Sequence, residues 1–302
     1  MENFLFIGFF VLLGLLCARL DLFPRDAAQT LNVVALYLAL PALILLQAPQ
    51  ITFSRDALVA ALLPWGALLL SVALVLLGAR LWQWPRSIVG VLLLLVPLGN
   101  TSFLGVPMIQ AFFGAGGLPF LIVYDQFGTM AIFATYGALI LALYGRKAGT
   151  DVATVARRVL LFPPTLALVV GLAARSWPYP EILTRLLQNL SVMLVPLVMV
   201  AIGLQLRLKL ERRVLRPLSF GLAVKLLAAP LLLWLGCRLA GITSLAADVA
   251  IVEAGMPPMV TAGALAVAAG LEADLAVALV GLGIACSFVS LPLLFRLTQL
   301  VL

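Results

Sequence analysis

The chain has 302 residues, of which 64% are apolar and only 10% charged. A soluble domain is about half apolar and a quarter charged, so this chain cannot hide its apolar surface in one core, and lipid must be its solvent. The formal net charge of +7 does not point to nucleic acid, because no soluble basic domain exists to carry that function and basic loops are what membrane topology requires.

A spanning helix needs roughly 20 mostly apolar residues. Ten such segments are predicted, near 4–20, 28–48, 57–80, 88–113, 118–144, 157–175, 182–205, 216–240, 246–269 and 274–297. The first, "MENFLFIGFFVLLGLLCARL", lacks a basic leader and an A-x-A cleavage site, so it reads as a retained span rather than a signal peptide. The loops after spans one, three, five and seven hold 13 of the 19 basic residues: Arg19, Arg25, Arg80, Arg86, Arg146, Lys147, Arg157, Arg158, Arg207, Lys209, Arg212, Arg213 and Arg216. The opposite side holds 5, namely Arg55, Arg175, Arg185, Arg238 and Arg296. The bias puts the first set in the cytoplasm and both termini outside, in a bacterial plasma (inner) membrane. Cys17, Cys237 and Cys286 form no ligand-like cluster, histidine is absent, and no cofactor or metal is expected.

The two halves resemble each other. "CARLDLFP" at 17–24 lies over "AARSWPYP" at 173–180, "LGARL" at 77–81 over "LGCRL" at 235–239, Pro41 over Pro196, and "QAFFG" ending at Gly114 over "AVAAG" ending at Gly270. The offsets are nearly constant, at 155 to 158. Five spans is an odd number, so the halves 1–155 and 156–302 must enter the membrane from opposite sides. This is the inverted repeat of secondary transporters, so the expected fold is an all-α membrane protein of two inverted five-helix repeats.

Span four carries "LVPLGNTSFLGVPMIQAFFG", in which Gly99, Gly105 and Pro107 are poor helix formers and Asn100, Thr101 and Ser102 are polar. Its repeat mate, span nine, breaks at Gly255-Met256-Pro257-Pro258. Both breaks lie about 15–18 Å along their helices, near the middle of a hydrocarbon core about 30 Å thick. Broken backbone at that depth is tolerated only beside protein or a water-filled cavity. The two breaks are therefore expected to cross. The second half-helices would then aim their N-termini at a pocket suited to a carboxylate, with Thr101 or Ser102 capping one and Pro258 in the first turn of the other. The candidate substrate-binding residues are Asn100, Thr101, Ser102, Gly105, Met256, Pro257 and Pro258.

At these residues the chain resembles the auxin efflux carrier family of membrane transport proteins, as a bacterial member within the bile/arsenite/riboflavin-type transporter superfamily. The resemblance lies in "GNTSFLGVPMIQAFFG" at 99–114, "YDQFGT" at 124–129, "KLLAAP" at 225–230 and "AGMPPMVTA" at 254–262. It implies a scaffold of spans one, two, six and seven, a transport domain of spans three to five and eight to ten, and substrate beside the crossover of spans four and nine. The long cytoplasmic loop of plant members is missing. Their asparagine-proline-asparagine signature is here Leu98-Gly99-Asn100, which lacks the proline. Bacterial relatives are associated with malate, malonate and similar acids. The reading admits a homodimer.

Intramembrane charge is rare and functional by default. Glu253, Asp125 and Lys225 are the candidates for proton or ion coupling, because a carboxylate beside an anion site is repulsive unless protonated. Lys225 is expected to neutralise one acid as an ion pair or to attract substrate, and Asp248, near the end of span nine, to be solvated. The sequence has no HExxH or G-x-S-x-G motif and no acidic cluster for Mg²⁺, which speaks against an enzyme. The alternatives are a sodium-coupled organic anion symporter of the bile-acid type or an anion channel.

Overall fold

The computed structural model describes residues 2–24, 26–52, 54–145, 157, 161–205 and 212–300. Arg25 and the basic loop residues Arg146, Lys147, Arg158, Arg207 and Lys209 lie outside them. The described residues are helical, with no β-strand. In chain order the helices are α1 (Glu2–Arg19), α2 (Ala27–Gln50), α3 (Arg55–Trp82), α4 (Arg86–Leu95), α5 (Gly105–Phe113), α6 (118–144), α7 (Pro163–Ala173), α8 (Glu181–Gln205), α9 (Arg212–Leu239), α10 (Leu245–Ala254), α11 (Val260–Ala268) and α12 (Ala273–Thr298).

Six continuous helical stretches among the described residues are long and apolar enough to cross a membrane: Ala27–Gln50, Arg55–Trp82, Gly105–Tyr144, Glu181–Gln205, Arg212–Leu239 and Ala273–Thr298. The Gly105–Tyr144 stretch has 40 residues. That is about 60 Å of helix, twice the hydrocarbon thickness. It is divided at Gly114, whose φ of +67° only glycine adopts readily, and Gly114–Gly116 are exposed. Large apolar side chains such as Leu12, Leu62, Leu69, Val169 and Leu293 point away from the protein, as lipid-facing residues must.

Several long helices carry a wider, π-helical turn. Those at Ala35–Ala39 and Val224–Ala228 are each followed by a proline, Pro41 or Pro230. Proline lacks an N–H and clashes with the carbonyl one turn back, and widening the turn relieves that clash. In α6 the wide turn Tyr124–Met130 leaves the Phe127 carbonyl for the indole of Trp65, whose Nε1 donates to it at 3.2 Å.

The helices fall into two compact units. The first comprises 1–53, 102–122 and 160–207, and the second 54–101, 123–159 and 208–302. Within the first, α1 packs on the second half of α8 through glycines. A Cβ on Gly14 would stand 2.3 Å from the Val200 carbonyl oxygen, and one on Gly203 2.3 Å from that of Val11. Small residues at such crossings let backbones touch, which supplies the packing energy that lipid does not. Likewise α7 meets α2 at Gly171, where a Cβ would be 2.6 Å from that of Ala48. In the second unit Gly128 of α6 leaves room for the ring of Pro64 in α3, which a Cβ would approach to 2.1 Å.

Candidate functional site

Two helices of the second unit stop short in the protein interior. Helix α4 ends at Leu95 and the chain does not resume a helix until Gly105. Helix α10 ends at Ala254 and α11 begins at Val260. These interruptions pair with each other in an antiparallel bridge between Gly99 and Pro258. The Asn100 amide donates to the Pro257 carbonyl at 2.7 Å, and the Met259 amide to the Leu98 carbonyl at 3.0 Å. Gly99 and Pro258 thus face one another as the pair that exchanges no hydrogen bond, the one place in such a bridge where proline's missing N–H costs nothing. Two backbone donors and two carbonyls of the breaks are thereby satisfied without water.

Proline also decides which carbonyls need outside partners. In α4 the Leu93 carbonyl would normally accept from residue 97, which is proline, and the Tyr136 hydroxyl donates to it instead at 2.9 Å. In α10 the Ala254 carbonyl would accept from residue 258, again proline, and the Lys225 ammonium takes that place at 3.0 Å. The same ammonium reaches the Pro97 carbonyl at 3.5 Å. Lys225 therefore caps the C-terminal ends of both half-helices, where the helix dipoles concentrate negative charge. Lys225 also acts electrostatically on Glu253, so the carbonyl bonds add to its relation with an acid.

The sequence-predicted residues divide as follows. Asn100, Thr101, Met256, Pro257 and Pro258 are buried at the paired interruptions of the second unit. Ser102 and Gly105 are buried too but belong to the first unit. Helix α5 starts after Leu104 and α11 after Met259, neither with a side-chain cap. The capping role expected of Thr101 is absent because its hydroxyl donates to the Asp125 carboxylate, and Pro258 lies ahead of α11 because the bridge holds it extended. Asp125 also accepts from Gln126 Nε2 at 2.8 Å. Asp248 is not freely solvated: it stands 3.7 Å from Arg238, with both side chains largely covered.

Two polar groups here are buried without a hydrogen-bond partner. They are the amide nitrogen of Asn100, whose residue is 2% exposed, and both carboxyl oxygens of Glu253, at 0%. A buried polar group left unpaired is costly, so each marks a place where a ligand or proton would be stabilising. The charged and titratable side chains acting on Glu253 are Asp125, Lys225 and Tyr124. Sequence reasoning missed Tyr136 and Gln126. Pro97, four residues after Leu93, was the signal for the first.

The first unit holds an open cavity of about 270 Å³, bordered by Phe6, Phe10, Leu43, Pro107, Gln110 and Pro196. No group of three or more His, Cys, Asp or Glu able to hold a metal ion occurs among the described residues.

A family profile described as "membrane transport protein" matches this sequence over residues 1–152 and 150–295. An uncharacterized transporter of Methanothermobacter thermautotrophicus is 28% identical over 295 residues, covering 97% of this chain and 96% of its own. An uncharacterized transporter of Methanocaldococcus jannaschii is 26% identical over 275 residues, covering 85% of each.

Proposed function

The chain belongs to the auxin efflux carrier family of membrane transport proteins, and from that premise we propose that it is a secondary transporter carrying a small organic anion by alternating access. It is an integral membrane protein, and its family and relatives are transporters rather than enzymes. In this reading ten spans form two inverted five-helix repeats, 1–155 and 156–302, with both termini outside a bacterial plasma membrane. Spans one, two, six and seven are the scaffold and the other six the moving domain.

Support for the repeat comes from the packing inside the first unit. Exchanging the halves turns the α1–α8 contact into the α7–α2 contact, and both exist as glycine-mediated crossings. The scaffold helices α1, α2, α7 and α8 share one compact unit, which also holds α5 and the first turn of α6. The observation that carries the site is the pair of bridged interruptions with the unpaired amide of Asn100 beside them. A carboxylate is the ligand that such a donor favours. In this reading the cargo is a small acid such as malate, malonate or an auxin-like acid.

Coupling falls to Glu253, whose carboxyl is buried without a hydrogen bond, while Asp125 is held by Thr101 and Gln126. An anion moving alone carries charge down or against the membrane potential, at about 2.3 kcal/mol per charge per 100 mV, and a co-transported proton removes that term. The test is counterflow of labelled malate into proteoliposomes. Unlabelled malate inside should accelerate uptake, an acid exterior should increase it, and Glu253→Gln should flatten the pH profile. Absence of counterflow would indicate a channel, dependence on sodium would indicate a sodium symporter, and an unchanged pH profile in the variant would make Glu253 structural.

A further inference from the structure

At one end of the second unit, the ends of α3, α4, α6, α9 and α12 meet in a cluster of arginines and aromatic rings. The Trp82 and Trp84 rings stack at 5.1 Å, and Phe220 of α9 lies edge-on to Trp82 at 5.1 Å and against Trp84 at 5.2 Å. The Arg216 guanidinium lies 5.2 Å over the Trp82 ring. The Arg86 guanidinium lies 5.1 Å over Tyr144 and donates to the Leu143 carbonyl. Arg80 is in the last turn of α3 beside them in sequence.

Among the described residues the acids at this end do not compensate these charges. Glu272 and Asp274 both pair with Arg213. Among the described residues Arg80, Arg86 and Arg216 have no carboxylate partner, and all three are exposed. The rings of Tyr144 and Trp82 support the guanidinium groups of Arg86 and Arg216, which keep N–H groups beyond the one that Arg86 gives Leu143, and a planar guanidinium is matched to two oxygens of a phosphate. One turn inward of Arg80, Leu77 is exposed and apolar, Leu81 and Leu215 are exposed beside the arginines, and the indole rings lie at the boundary where the headgroup level of a bilayer belongs.

We propose that this surface binds the headgroup of an anionic glycerophospholipid of the surrounding membrane. The phosphate is held by Arg86 and Arg216, with Arg80 adding charge, and the acyl chains lie along α3 and α9. The free ion, inorganic phosphate, lacks the apolar part and is excluded as the occupant. This site does not depend on the transport reading, since it involves neither interruption.

The full chain, purified in mild detergent, is titrated with phosphatidylglycerol, with phosphatidylcholine and with inorganic phosphate while its thermal unfolding is followed. Phosphatidylglycerol should raise the unfolding midpoint well above phosphatidylcholine, and phosphate should not. Each of Arg86→Gln and Arg216→Gln should weaken the apparent affinity for phosphatidylglycerol about fivefold, the strength one basic side chain commonly adds near an anionic surface. Arg185→Gln, which removes an exposed charge paired with Glu181 elsewhere, should leave it unchanged. Equal stabilisation of the wild type by the two lipids overturns the proposal even if neither variant folds. So does a phosphate effect equal to that of the lipid, or full preference retained in both variants.

Discussion

The two interruptions are solved by the same backbone device and filled with opposite chemistry. Each stops a helix with a proline that strips a carbonyl of its helical donor, and each is bridged to the other. The first is polar, with Asn100, Thr101 and Ser102, and hands its freed Leu93 carbonyl to a neutral tyrosine. The second is apolar, with Met256, Pro257 and Pro258, and hands Ala254 to a lysine charge. In the proposed reading the first offers the Asn100 amide to a ligand. The second offers stiff backbone and the acid Glu253. In the proposed reading, duplication accounts for the shared break, with recognition assigned to the first copy and charge to the second.

Lys225→Met tests the charged side of this contrast and should have the largest effect on stability. Two carbonyls at helix ends lose a charged donor in the protein interior, at about 3 kcal/mol. A clear fall in the thermal unfolding midpoint is expected, and an unchanged midpoint would mean that the carbonyls find other donors. Next comes Gly283→Ala. Its Cβ would stand 2.7 Å from the Pro258 ring, which the bridge prevents from yielding, so overpacking of about 2 kcal/mol is expected. Gly99→Ala, across the bridge, meets the tip of Lys225 at 3.2 Å, the Thr101 methyl at 3.4 Å and the Glu253 carbonyl oxygen at 3.5 Å. It should be tolerated better than Gly283→Ala, and the reverse order would show that the first interruption is the rigid one. The smallest effect is expected for Tyr136→Phe, about 1 kcal/mol for one neutral hydrogen bond. A loss equal to that of Lys225→Met would erase the distinction between the two caps.

Both breaks were legible because glycine and proline have local consequences that no membrane environment overrides. The first begins slightly earlier than its composition suggests: α4 ends at Leu95, before Pro97, whereas the apolar run continues to Leu98. The wide turns at Tyr124–Met130 and Phe133–Gly137 were not legible, since no residue type encodes them. Lys225 was read as the partner of an acid or of the substrate because side-chain charges are visible in a sequence, whereas its bonds to carbonyls were not legible because the partial charges of helix ends are not. Thr101 was read as a cap for the analogous reason. Its competitor Asp125 is 24 residues away, and only the fold brings them together.

The central claim is that the polar interruption, built around Asn100, is where the anion binds. It is tested most directly by measuring malate and malonate binding to the purified wild type and to Asn100→Ala. The substitution keeps the backbone N–H that bonds Pro257, so folding should be preserved. Losing one hydrogen bond to a charged ligand should weaken binding by about 1.5–3 kcal/mol, roughly ten- to a hundredfold. A folded Asn100→Ala protein that binds both acids as tightly as the wild type would contradict the account.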